Sequence, residues 1–230
     1  PNLTTAQLKL FSNIQISQFK PEQVAAMSVD QLNALSTAQV GALTKDQINA
    51  FTDDQIAGIK GTQIGAISKT VINGANEHLI SSLNSTQVQA LTTDQLPSMG
   101  TTQIQALSVA QVALLGTQQI TSLTSGAIAA MSSQQIAGMT TSQLGALGSE
   151  QIQALESADI AGLTATQIGA FNADQLSVLP SGLIPAIRTS AIAVLSNTTL
   201  NTMTTGQFAN FDSTQMSAFT TTQLASVSGT

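Results

Sequence analysis

The sequence predicts an all-α solenoid, a superhelix of very short capped helices with one helix in each eight-residue repeat. Three observations predict it. Two apolar columns recur every eight residues from end to end without insertion or deletion, a helix-start signal sits in the same place in most octads, and only 8% of the 230 residues are charged. Self-similarity at a fixed period is the mark of a repeat architecture, and the consensus octad is Thr-x-x-Gln-Ile-x-Ala-Leu.

The apolar columns come first. One runs Leu8, Ile16, Val24, Leu32, Val40, Ile48 and on to Phe208, Met216 and Leu224, and all 28 of its members are large and apolar. The second follows three residues later, through Leu35, Leu43, Phe51 and Ile59 to Phe211, Phe219 and Val227, with Ala75 its one small member. A continuous α-helix cannot hold this pattern, because eight residues overshoot two turns by roughly 80° and smear the stripe around the helix. Apolar spacings of three and five also break the two-residue alternation of a strand. The chain must therefore bend once per octad.

The helix start is equally regular. Ser, Thr, Asn or Asp fills 21 of 29 positions after the Leu-type column, and Gln follows three residues on in 21 of 28 repeats. That pair is a capping box, an N-cap oxygen and a reciprocating side chain at the third helical position. Seven of the twelve acids, Glu22, Asp30, Asp46, Asp54, Asp94, Glu150 and Asp174, share the second helical position, where they complement the helix dipole. Each octad thus reads as about one and a half helical turns followed by an immediate corner.

Such a helix is far shorter than the roughly 12 to 15 residues at which isolated helices become marginal. Stability must come from neighbours, and the position before Leu is Ala, Gly or Ser in 21 of 29 repeats, which predicts close approach of successive helices in one solenoid. No column alternates at sixteen or twenty-four residues, so the whole of residues 1–230 reads as one uninterrupted screw of equivalent octads. It begins and ends in phase, without a polar capping repeat, as expected of an excerpt from a longer array or of ends that stack on other copies.

The Gln column holds no Glu and one acid, Asp159. Gln47, Gln55, Gln63, Gln95, Gln103, Gln143, Gln151 and Gln167 are assigned to capping and to an amide ladder. That ladder places the amides of successive octads near one another, where a file of carboxylates would repel. The pattern breaks over 71–83, around Asn76, Glu77 and His78, and over 180–188, around Pro180, Pro185 and Arg188. These segments are expected to be bent or drifted repeats, with a hinge or partner site as the alternative.

Chemistry is sparse. With no Cys and one histidine, His78, the chain offers no nucleophile and base pairing, no metal-ligand spacing and no phosphate loop, so catalytic, metal and cofactor sites are expected to be absent. His78 occupies a helix-start column and reads as a surface substitution. The string Leu43-Thr44-Lys45-Asp46-Gln47-Ile48-Asn49-Ala50-Phe51 shares a capped helix with EF-hand proteins but has no calcium loop after it. A net charge of −6 with six basic residues argues against nucleic acid, and no apolar run approaches the roughly 20 residues of a membrane span. All of that net charge lies in residues 71–230, which could weakly steer a head-to-tail contact.

With strings such as Leu91-Thr92-Thr93-Asp94-Gln95-Leu96 and Met139-Thr140-Thr141-Ser142-Gln143-Leu144, the chain resembles the Thr- and Gln-rich short-repeat regions of large secreted bacterial surface proteins, the adhesin-like exoproteins. The resemblance implies an extracellular or cell-surface location and a non-enzymatic structural role as stalk, fibre or filament subunit, with self-association end to end or laterally. The alternative is a binding module of adhesin type that grips a protein or glycan partner. Flat threonine files suggest ice binding as well, but the capping role already accounts for these threonines.

Overall fold

The computed structural model describes residues 3–227. Among them are 26 α-helices, from α1 (Thr5–Leu8) to α26 (Thr221–Val227), and two 3-10 helices, η1 (Leu96–Ser98) and η2 (Ser181–Ala186). The described residues contain no β-strand. This is an all-α repeat solenoid, as the octad predicts, and it divides into two compact units, Pro1–Ser122 and Leu123–Thr230.

The corner is built from two extended residues. In the fourth octad Leu35 has φ −63°, ψ 139° and Ser36 has φ −68°, ψ 160°; in the twentieth Leu163 has −72°, 142° and Thr164 has −74°, 163°. Two β-region residues re-aim the chain before the next cap takes hold. No described residue has a positive φ, so the turn needs no left-handed glycine.

Helices pack on the helix three octads away. In the first unit α1 packs on α4 (Val29–Ala34), α3 (Pro21–Ala25) on α6 (Lys45–Asn49), and α8 (Gly61–Ile64) on α11 (Ser85–Ala90). In the second, α16 (Ser133–Ala137) packs on α19 (Ser157–Gly162), and α18 (Ser149–Gln153) on α21 (Ala173–Val178). The Ile-type column forms the axis of each unit: Ile16, Val24, Ile80 and Val88 in the first and Ile128, Ile136 and Ile152 in the second are fully buried. Burying such a side chain contributes about 1.5–3 kcal/mol, and the Leu-type column closes the same core.

The small residues serve these inter-turn contacts rather than contacts between successive helices. A Cβ on Gly58, just before Ile59, would lie 2.6 Å from Val29 Cγ1, and one on Gly162, just before Leu163, 3.4 Å from Ala137 Cβ. Successive helices diverge at every corner, so the crowding that excludes large side chains comes from the neighbouring turn.

The irregular segments keep the octad phase. Residues 71–83 take in the end of α9 (Lys69–Asn73) and all of α10 (Glu77–Ser81), while 180–188 holds η2, with Pro180 at its N-cap and Pro185 inside it. A 3-10 helix accommodates the second proline because, in so short a piece, most amides lack a helical partner in any case.

Candidate functional site

A helix of four to seven residues is almost all terminus. Its first four N–H groups and last four carbonyls have no partner within the helix, so an octad solenoid is stable only if each repeat satisfies both ends of such helices. The Gln side chain does this.

Gln47 in α6 shows the arrangement. Its Oε1 accepts the Thr44 N–H at 2.8 Å while Thr44 Oγ1 accepts the Gln47 N–H at 3.3 Å, which completes the capping box. Its Nε2 donates to the carbonyl oxygens of Ile16 at 2.9 Å and Phe19 at 2.6 Å, at the corner between α2 (Asn13–Ser17) and α3. The amide is 1% exposed. One end closes the helix to which it belongs, and the other supplies donors to the orphan carbonyls of the preceding turn. We refer to this contact as the staple.

The same offsets of 28 and 31 residues recur. Gln55 reaches Met27 and Val24 at 2.8 and 2.9 Å; Gln63 reaches Leu35 and Leu32 at 3.2 and 2.8 Å; Gln95 reaches Ile67 and Ile64 at 2.7 and 2.8 Å. In the second unit Gln175, Gln207, Gln215 and Gln223 repeat the pair. Gln103 and Gln167 shift one bond by a residue, to the Asn73 and Ala137 carbonyls. Gln151 caps Gly148 and reaches Leu123 at 2.7 Å, and Gln143 caps Thr140 at 2.7 Å. Helix packing three octads away and staples at 28 and 31 residues together set between three and four octads per superhelical turn.

Each of the eight glutamines assigned from the sequence accepts the backbone N–H three residues before it, but the ladder differs from the expected one. The amide nitrogens whose bonds are given above meet backbone carbonyls of the preceding turn, not the amides of successive octads. Each corner turns the next Gln to a new direction, and the turn below presents carbonyls with a free lone pair. Glu would cap equally well, but it has no N–H to offer them. That is the physical reason for the missing Glu.

Where Gln is replaced, other groups take over part of the work. In α10, Leu79 cannot accept the Asn76 N–H, and Asn49 Oδ1 of the preceding turn accepts it at 2.9 Å while Asn49 Nδ2 donates to the Gly74 carbonyl at 3.1 Å. His78 Nε2 lies 2.7 Å from Asp53 Oδ1, an exposed pair across the same turns. Glu77 is exposed in the first turn of α10. In the second unit Arg188 Nε donates to the Ala161 carbonyl at 2.9 Å, next to the consecutive Gln-free octads of Leu183, Ala191 and Thr199. The structure thus brings Asn76 and His78 together with Asn49 and Asp53, which the sequence reading did not assign.

Asp159 is the one acid in the Gln column. One carboxylate oxygen accepts the Glu156 N–H at 2.8 Å, but the side chain has no amide donor for the carbonyls of Ile128 and Met131. Burial raises its pKa above the ordinary carboxylate value, the Glu156 backbone N–H opposes that shift, and the Glu156 charge adds to it. No group of three or more His, Cys, Asp or Glu side chains able to hold a metal ion occurs among the described residues. Shallow grooves between adjacent turns, such as that lined by Lys60, Thr62, Asn84 and Thr86, present amine, hydroxyl and amide groups.

Three stretches of the chain, residues 21–53, 125–157 and 152–189, match the ALTTAQ repeat family model. No curated protein matches the chain. Within the first stretch, the string Ala34-Leu35-Ser36-Thr37-Ala38-Gln39 has its capping Ser36 and its stapling Gln39 at the structural positions described above. The chain is a repeat protein, and in those three stretches its octads are similar to the ALTTAQ repeat.

Proposed function

We propose that this solenoid is a non-enzymatic structural scaffold of the bacterial surface or extracellular matrix, a stalk, fibre or filament subunit that works through length and through stacking of its turns. The observation that carries this reading is the double use of the Gln amide. In the stapled octads the polar groups that could recognise a ligand are consumed in capping the helix and in joining it to the turn before. What the repeats leave outside is mostly small hydroxyl and amide side chains, with few aromatics to anchor a partner. A second reading, a binding module for a protein or glycan, is favoured by one feature: the non-repeating exposed cluster of Asp53, Asn76, Glu77 and His78.

Cell fractionation with an antibody against the array, followed by electron microscopy of the recovered protein, tests the scaffold. Recovery from the surface or the medium as rods or fibres is the expected result. Recovery from the cytosol alone refutes the location, and discrete unassociated particles from every fraction refute the assembly.

A further inference from the structure

We propose that Asn73-Gly74 is a self-modifying site, where the chain converts Asn73 to aspartate and isoaspartate through a cyclic imide and so alters one joint between turns. The inference goes beyond the scaffold reading and does not depend on it.

The dipeptide carries the chemistry. Among the asparagines of the chain, Asn73 alone is followed by glycine. Glycine has no Cβ to hinder its own nitrogen, so Gly74 presents the least shielded nucleophile that any of these carboxamides meets. The Asn73 side chain is exposed, and its carboxamide makes no hydrogen bond among the described residues. Those of Asn33, Asn49 and Asn84 are each tied to a carbonyl of a neighbouring turn. Asn73 shares a groove with Lys69 and Asp94, an acid and a base for the proton transfers. The Gln103 amide donates to the Asn73 carbonyl at 2.8 Å, which polarises the peptide and makes the Gly74 N–H more acidic.

The local fold controls access. The Gly74 N–H donates to the Val71 carbonyl at 3.0 Å in the last turn of α9, so the reaction requires that turn to open. Val71 stands where most octads have Gln. The Ser68 N–H therefore lacks the usual capping acceptor, and the Val40 and Leu43 carbonyls receive no amide. A helix short of these ties opens more readily than its stapled neighbours.

Once released, the Gly74 nitrogen bonds to Asn73 Cγ and gives up its proton, the Cγ–Nδ2 bond breaks, and the side-chain nitrogen leaves as ammonia carrying that proton. Water then adds to one imide carbonyl. Opening at Cγ gives aspartate, and opening at the main-chain carbonyl gives isoaspartate; no electrons are exchanged. In isoaspartate the chain runs through Cβ and Cγ, one backbone atom longer, and the former Asn73 carbonyl becomes a free carboxylate. That carbonyl and the one of Ala75 are the two acceptors of Gln103, each at 2.8 Å. The product thus changes the staple that joins α12 (Thr101–Ala106) to the turn before it.

The test holds residues 1–230 at mildly alkaline pH and maps the peptides by mass spectrometry, beside a sample in denaturing urea and the variants Val71→Gln and Gly74→Ala. Isoaspartate at residue 73, which direct hydrolysis of the side chain cannot give, is expected in the folded wild type, with one added negative charge per converted chain on isoelectric focusing. Val71→Gln should slow the folded protein about fivefold or more by supplying the staple, and should react at the wild-type rate in urea. Gly74→Ala should slow the reaction in urea as well, because its Cβ shields the nitrogen; in the fold that Cβ meets the movable Lys45 side chain, and circular dichroism checks that the fold is kept. A folded wild type that retains Asn73 after the urea sample is fully converted would overturn the site. Equal rates for folded wild type and Val71→Gln would overturn its control by α9, and conversion of other asparagines as fast as Asn73 would overturn its selectivity.

Discussion

Replacing Gln47 with Glu separates the two functions of the amide. The capping acceptor for Thr44 is kept, while the donors to Ile16 and Phe19 are removed and a carboxylate oxygen is set against two carbonyl oxygens at hydrogen-bond distance. At a site 1% exposed the new carboxyl has two routes. Ionised, it forfeits two hydrogen bonds worth about 1 kcal/mol each and leaves a buried charge unpaired, at a further cost of several kcal/mol. Protonated, it can donate to one carbonyl, but holding a proton at pH 7 against an unfolded pKa near 4.3 costs about 4 kcal/mol. The cheaper route, with one bond still missing, sets the expected loss at about 4–5 kcal/mol at pH 7. Near pH 4 the protonation cost nearly vanishes and the loss shrinks to about 1–2 kcal/mol. The sign follows from linkage: the folded pKa lies above the unfolded one, the native state holds the extra proton, and stability falls as pH rises from the unfolded pKa towards neutrality. Urea unfolding followed by circular dichroism at both pH values measures the difference. Amide exchange in α2, α3 and α6 localises it, which matters because repeat arrays can unfold in pieces. A variant within about 0.5 kcal/mol of wild type at pH 7, or one whose deficit does not change with pH, would refute the staple.

Asp159→Gln should restore donors to the Ile128 and Met131 carbonyls and stabilise the second unit by about 1–2 kcal/mol. It should also remove a pH dependence: burial raises the Asp159 pKa, so the wild type loses stability as pH rises from the unfolded value of about 3.9 through the folded one, and the variant should not. Val71→Gln should install the missing staple to Val40 and Leu43 and give the Ser68 N–H an acceptor, adding about 1–2 kcal/mol; slower amide exchange in α9 is the readout. The glycines divide by space. Gly65→Ala, with its Cβ 2.8 Å from the Ala90 carbonyl oxygen, should destabilise by about 1–3 kcal/mol. Gly182→Ala, with nothing within 4 Å of its Cβ and no positive φ, should stabilise by about 0.4–1 kcal/mol, and paired thermal melts of the two variants check both signs.

The octad, the capping box and the core columns were legible because they are written in side-chain identity at short fixed offsets. Thr44 and Gln47 are three residues apart, and so are Ile48 and Phe51. The superhelical period was not, because it is set by backbone angles at the corners, such as ψ 139° at Leu35 and ψ 160° at Ser36, and an eight-residue repeat is compatible with many such angles. The partner of the Gln nitrogen was hidden for a related reason: it is a backbone carbonyl, which every residue possesses, so no residue type 28 or 31 positions earlier could betray it. The absence of Glu was its trace in the sequence. That trace correctly indicated that an amide was required, but the requirement was assigned to neighbouring amides because successive octads are adjacent in the chain. Asn49 was missed because its column varies freely; its signal lies in its relation to the next turn, where Asn76 meets Leu79 instead of Gln. The consecutive replacements at Leu183, Ala191 and Thr199 carry the same logic further. They lie within nearly one superhelical turn, so there the join to the preceding turn relies on apolar packing and on two bonds, Arg188 to the Ala161 carbonyl and Thr202 to the Ala173 carbonyl. A segment held by fewer polar ties opens before its stapled neighbours, and the octads of Leu183, Ala191 and Thr199 are therefore where the second unit yields first, whereas 71–83 keeps the Asn49 and Asp53 ties to Asn76 and His78.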